Sequence, residues 1–252
     1  MKVLYPSKLN LTASMIDGET RSLYITAPHR GAGTSTCAFS LASSFGDSNT
    51  EYNFTTDEGV ANTSLRNQEG GDSGEGITDL IHLGGRDLQL PRPPLNCTLL
   101  IDGNGGCNSL TNKLGLENKV GISDLIFSDG PGTISEAIHR LNEEQLHFIP
   151  SGQCNLGHSM GRERVILKWL IENLKGVYKY VVYDGPPIQN NSESTAIASA
   201  FDGVVMVVSG NETRMGVAQA AKDSLAQSGA NVIGVIFNRR RYYIPKWMYE
   251  LL

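Results

Sequence analysis

Three short stretches put glycines, hydroxyls and carboxylates where they could hold a phosphate chain and its counter-cation. The first is Gly31-Ala32-Gly33-Thr34-Ser35-Thr36, set between the apolar run "SLYIT" and a run with helical spacing, "CAFSLASSF". Glycines let backbone N–H groups turn inward on an anion, and a following helix N-terminus adds a favourable dipole. Ser35 could ligate Mg²⁺ as the hydroxyl of a phosphate-binding loop does. The other two stretches are "TLLIDGNGG" and "YVVYDGPP", apolar runs that end in Asp102 and Asp184. An acid at the carboxyl end of a parallel strand lies on the rim where such sheets bind ligands, and Asp184 suits a metal-holding role. Each feature also has a plain reading, in which the glycines make a turn and the acids cap strand ends. Two acids beside one loop favour the phosphate reading.

One residue speaks against ordinary phosphate chemistry. In G-x-x-x-x-G-K-[ST] loops a lysine neutralises the β- and γ-phosphates, and Thr34 stands in its place. Arg30 is the nearby cation able to span phosphate oxygens, and it reads equally well as a solvated loop residue.

The elements that must position these groups follow from hydrophobic spacing. Strands are expected at Leu23–Thr26, Thr98–Ile101, Leu146–Ile149, Tyr180–Tyr183, Val204–Val208 and Val232–Phe237. Several are apolar on consecutive residues, as when both faces of a parallel sheet are covered. Helical stripes run through Ala38, Leu41, Ala42 and Phe45, and through Ile134, Ile138 and Leu141. Two more comprise Ile166, Trp169, Leu170 and Leu174, then Val217, Ala221 and Leu225. This alternation predicts an α/β fold, a doubly wound, mostly parallel sheet flanked by helices in three layers. The expected organisation is a single domain over 1–252, with a polar, glycine-rich insertion at about 46–94 and a basic, aromatic tail at 238–252. Within the insertion a strand is expected near Tyr52–Thr56. "GITDLI" (76–81) echoes "GISDLI" (121–126), read as two loop-to-helix starts with Thr78 and Ser123 near the N-caps.

Composition narrows the function classes. With 21 basic and 26 acidic residues the net charge is −5, which argues against non-specific nucleic-acid binding. Cys37, Cys97, Cys107 and Cys154 are far apart and form no C-x-x-C pair, so reduced, buried thiols in a cytoplasmic protein are expected. No apolar run approaches the ~20 residues that span a bilayer. The five histidines show no ligand spacing, and no nucleophile elbow points to a hydrolase.

The order "GAGTST", "LLIDGNG", "GLENKVGISDLI", "FIPSGQ", "YVVYDGPP", "DGVVMVVSGNETR", "NVIGVIFNRRRYYIP" resembles that of bacterial tyrosine kinases. These belong to the deviant Walker-A P-loop ATPases, beside partition and septum-site ATPases. The resemblance runs from about Ser22 to the C-terminus, with 46–94 as an insertion. It implies ATP or ADP with Mg²⁺ as cofactors and a role in capsule or exopolysaccharide assembly. It further implies a membrane-bound chain-length regulator as partner, self-association, and location in the cytoplasm at the inner membrane through that partner.

Carried across, the resemblance puts Gly31, Ala32 and Gly33 on phosphate with Thr34, Ser35 on Mg²⁺ and Thr36 on the α-phosphate. It makes Asp102 the first acid of an Asp-x-Asp motif, Asp184 the Walker-B acid and Asn238 the reader of the adenine edge. Tyr242, Tyr243 and Tyr249 fall where the family's phosphorylated tyrosines lie. The departures are Thr34 for lysine, Asn104 for the second acid, Gly106 for a basic residue and His29 for a further lysine. Phosphoryl transfer is mostly positioning and charge stabilisation, so weakened nucleotide use and impaired kinase chemistry are expected. The alternatives are an active autokinase in which Arg30 replaces the lysine, and a nucleotide-free adaptor.

Overall fold

The computed structural model describes residues 2–4, 20–46, 79–83, 86–90, 93, 96–106, 108–127, 134–141, 145–153, 162–189, 192–210 and 212–239. Its strands are β1 (Lys2–Leu4), β2 (Ser22–Thr26), β3 (Asp79–Leu83), β4 (Arg86–Leu90), β5 (Thr98–Asp102), β6 (His139–Arg140), β7 (Leu146–Ile149), β8 (Tyr180–Asp184), β9 (Gly203–Ser209) and β10 (Val232–Asn238). Its helices are α1 (Thr34–Gly46), α2 (Leu110–Lys113), α3 (Ile122–Phe127), α4 (Ile134–Ala137), α5 (Arg162–Val177), α6 (Ser192–Ala198) and α7 (Met215–Gln227).

Eight strands form one sheet in the order β1-β10-β9-β2-β8-β5-β7-β6, parallel except for the β6–β7 pair. The consecutive apolar residues of its strands divide between two cores. On one face Leu99, Ile101, Val181, Tyr183, Val204 and Met206 pack with Leu170 and Leu174 of α5 and Leu225 of α7. On the other, Leu100, Val182, Val205 and Val207 pack with Cys37, Ala38, Leu41 and Ala42 of α1. That two-sided burial is why alternation is absent from these strands. The six strands expected outside the insertion all form, extended by a residue at one or both ends where they differ.

Parallel pairing sends the carboxyl ends of β2, β5, β8, β9 and β10 to one rim. At the opposite end Asp202 ties the strands together. Its carboxylate accepts from the backbone N–H of Arg21 (3.0 Å) and Ser22 (2.8 Å) and from Lys175 Nζ (2.8 Å). Burial opposes its charge, but these donors outweigh it and hold the carboxyl below its usual range.

Two expectations are corrected. Asp79–Leu83 is not a helix start but a strand, paired antiparallel with Arg86–Leu90. A cross-strand partner outside the motif decides its conformation. The second copy does open helix α3, yet its cap is Asp124, whose Oδ2 accepts the Gly121 N–H at 2.9 Å, the reach-back of a capping box. The Ser123 hydroxyl has no partner among the described residues. Likewise Ile134, Ile138 and Leu141 do not share a helix: α4 ends at Ala137 and the chain turns into β6. Ile134 joins one core and Leu141 the other, so their helical spacing reflects no common face. Tyr52–Thr56, most of 46–94 and the tail beyond Arg239 lie outside the described residues.

Candidate functional site

The loop between β2 and α1 takes a left-handed backbone at Gly31 (φ 85°) and Gly33 (φ 88°). At Gly33 a side chain is also excluded by space, because a Cβ would lie 2.2 Å from Asn238 Nδ2. Helix α1 starts at Thr34, and the first N–H groups of a helix have no intrahelical acceptor. Glycine geometry and a helix N-terminus thus coincide, as an anion cradle requires.

Asp102 and Asp184 face the rim from neighbouring strands in direct register. Both are fully buried, and their surroundings are opposite. Asp102 Oδ1 accepts the Asn104 N–H at 3.1 Å, while Oδ2 accepts Thr111 N–H at 2.8 Å and Thr111 Oγ1 at 2.7 Å. The Thr111 hydroxyl in turn accepts the Ser151 N–H at 2.8 Å. Asp102 therefore fastens α2 and the loop after β7 to the rim.

Neither carboxylate oxygen of Asp184 has a hydrogen-bond partner among the described residues. Burial first, then the field of Asp102, drive its carboxyl well above the ordinary range. The Ser35 hydroxyl stands close enough to favour its charge, short of a full hydrogen bond, and Lys113 acts in the same direction from further away. An orphaned buried carboxylate beside a hydroxyl at a helix N-terminus fits a divalent cation, and were Mg²⁺ bound here Ser35 and Asp184 would hold it.

Close packing sets the Asp184 turn. A Cβ on Gly185 would meet the Tyr24 ring at 2.2 Å, and one on Gly103 would meet Tyr183 at 2.1 Å. The Tyr24 and Tyr183 rings stack at 5.5 Å. Pro186 O accepts from Thr26 Oγ1 (2.7 Å) and from Ser194 Oγ (2.8 Å). Cys37 lies on α1 within the field of Asp184. Burial and then that field push its thiol up to about 12, as expected of an inert core cysteine.

Asn238, expected at the adenine edge, donates from Nδ2 to Ala32 O at 2.9 Å and accepts the Arg239 N–H on Oδ1 at 2.9 Å. It fastens the β2–α1 loop to the end of β10. His29 bonds to Thr213 across the site. Arg30 is exposed at the loop's start, and Thr34 and Thr36 are half-buried on α1. The structure sets Ser35, on the helix that follows the two glycines, beside Asp184; Thr111 and Thr213 carry no local sequence signal and join the site only through the fold. Tyr242, Tyr243 and Tyr249 lie outside the described residues. No group of three or more metal-ligating side chains occurs among the described residues, and no helix there is long and apolar enough to cross a membrane.

No family model matches the chain. It is 27% identical over 113 residues to a tyrosine-protein kinase, CpsD, of Streptococcus agalactiae, covering 45% of this chain. The match spans about half, 49%, of that relative's length. The solved kinase domain of VpsO superposes with a TM-score of 0.60 at 18% identity, covering 90% of this chain and 88% of that one. The septum site-determining protein MinD of Pyrococcus horikoshii, solved with Mg-ADP, gives 0.54 at 17% identity over 92% of this chain and 76% of its own. The chain is therefore similar in sequence to tyrosine-protein kinases such as CpsD, and similar in fold to the kinase domain of VpsO and to MinD.

Proposed function

We propose that this chain is a tyrosine-kinase-like regulator of capsule or exopolysaccharide assembly that binds ATP or ADP with Mg²⁺ weakly and transfers phosphate poorly or not at all. The observation that supports it is the buried Asp184, unpartnered among the described residues and beside Ser35, a pair suited to Mg²⁺, next to a loop whose lysine position holds Thr34. Mg²⁺ bound there would neutralise phosphate charge. The loop amides bind and orient the phosphates, and Thr36 takes the α-phosphate. The lost lysine leaves developing charge on the leaving oxygen without a fixed cation, where electrostatic stabilisation matters most. Asp102 adds no base, because its oxygens are committed to Asn104 and Thr111, and Asn104 carries no charge.

In this reading the chain works as one domain beside a membrane-bound chain-length regulator, self-associates, and stays cytoplasmic except through that partner. Tyr242, Tyr243 and Tyr249 would be the acceptors of any remaining phosphorylation. Titration with MgATP followed by anti-phosphotyrosine blotting tests it. Binding in the high micromolar to millimolar range without phosphotyrosine is expected. Phosphotyrosine that disappears in Arg30→Ala would establish an active kinase instead, and no binding at millimolar MgATP would leave a nucleotide-free adaptor.

A further inference from the structure

The imidazole of His29 is held at both nitrogens. Nδ1 lies 2.8 Å from the Arg30 carbonyl and Nε2 lies 2.7 Å from Thr213 Oγ1. A carbonyl only accepts, so Nδ1 carries a proton. With the ring neutral, Nε2 accepts from the Thr213 hydroxyl. That hydroxyl also accepts the Ser209 N–H at 3.0 Å, and the Thr213 N–H returns to Ser209 O at 3.0 Å. The turn between β9 and α7 therefore grips the backbone of the phosphate loop through one imidazole.

The consequence follows from the planarity of the peptide. In a trans peptide the C=O of one residue and the N–H of the next point in opposite directions. Drawing the Arg30 carbonyl toward His29 aims the Gly31 N–H the other way. Drawing the Ala32 carbonyl toward Asn238 does the same for the Gly33 N–H. We propose that His29, set by Thr213, is a positioning residue for phosphate binding that orients the Gly31 amide, so that preorganised backbone donors partly replace the charge missing at Thr34. This rests on the nucleotide reading given above.

The test uses the full chain, MgADP calorimetry, and hydrogen–deuterium exchange of the nucleotide-free protein. His29→Ala and Thr213→Val each weaken MgADP binding roughly three- to tenfold, the loss of one hydrogen bond. The double variant is no weaker than the weaker single variant, since both break one unit. Thr213→Ser, which keeps the hydroxyl, restores binding. Without nucleotide, His29→Ala speeds exchange at the amides from Gly31 to Ser35 and leaves those of Tyr180–Asp184 unchanged. Unchanged loop exchange, additive losses, or failure of Thr213→Ser to restore binding overturns the proposal. If the parent chain binds no MgADP, the nucleotide reading fails, and loop exchange alone decides whether His29 orders this backbone.

Discussion

Asp102 and Asp184 sit opposite each other in paired strands, yet one accepts three hydrogen bonds and the other accepts none among the described residues. Two acids at equivalent strand ends thus have separate tasks. The first organises the rim, and the second keeps lone pairs that suit a cation or a proton.

Asp184→Asn is expected to stabilise the metal-free protein at neutral pH. The folded carboxyl is raised above its ordinary value of 3.8, so its favourable contribution is complete below that pH and is lost as pH rises toward the folded value. At pH 7 to 8 removing the buried acid should raise Tm by about 2–6 °C, on the order of 1–2 kcal/mol for a chain this size. The gain should vanish near pH 4, and added Mg²⁺ should stabilise the parent alone. Scanning calorimetry at both pH values, with and without Mg²⁺, checks this. A lower Tm for the variant at pH 7.5 would contradict it.

Thr34→Lys should tighten MgATP binding by about ten- to a hundredfold, the worth of a charge-assisted hydrogen bond. Calorimetric titration reads this directly. Unchanged affinity would mean that residue 34 does not face the phosphates.

Thr111→Val removes one donor from Asp102 and the acceptor of the Ser151 N–H, leaving buried groups without partners. A loss of about 1–3 kcal/mol is expected in urea unfolding, with Thr111→Ser close to the parent. Equal stability of the two variants would show that the hydroxyl contributes nothing.

Acid should destabilise the chain through His147. Burial, aided by Arg140, lowers its pKa to about 4, and its Nδ1 lies 2.9 Å from Tyr178 Oη. A group depressed from 6.5 to about 4 contributes stability that is complete above 6.5 and drains as pH falls to about 4, on the order of 3 kcal/mol in all. Urea midpoints measured from pH 7 to pH 4 should fall in the parent. They should fall less in His147→Asn, which keeps a polar partner for Tyr178. Parallel curves would exclude His147 as the source.

The sheet was legible because covered parallel strands write themselves as continuous apolar runs, as in "LLI", "VVY" and "VVMVV". The glycine loop and Asp184 were legible because their geometry demands particular residues at fixed spacing. Strand β1, the β3–β4 hairpin and the short β6 were not, since each depends on a partner strand and not on its own periodicity. Asn238 bonds across 206 positions and His29 across 184. No local pattern encodes which side chain meets which carbonyl at such distances, so neither the Asn238 bond to the loop nor the part of Thr213 was legible.

The knot of donors around Asp202 gives the molecule a fixed floor beneath a workable ceiling. With Arg21, Ser22 and Lys175 stitched to one carboxylate at the amino ends of the strands, the ribbons cannot easily slide past one another. Room for rearrangement is left to the opposite rim, where the β2–α1 loop is held by side chains, His29 on Thr213 and Asn238 on the Ala32 carbonyl.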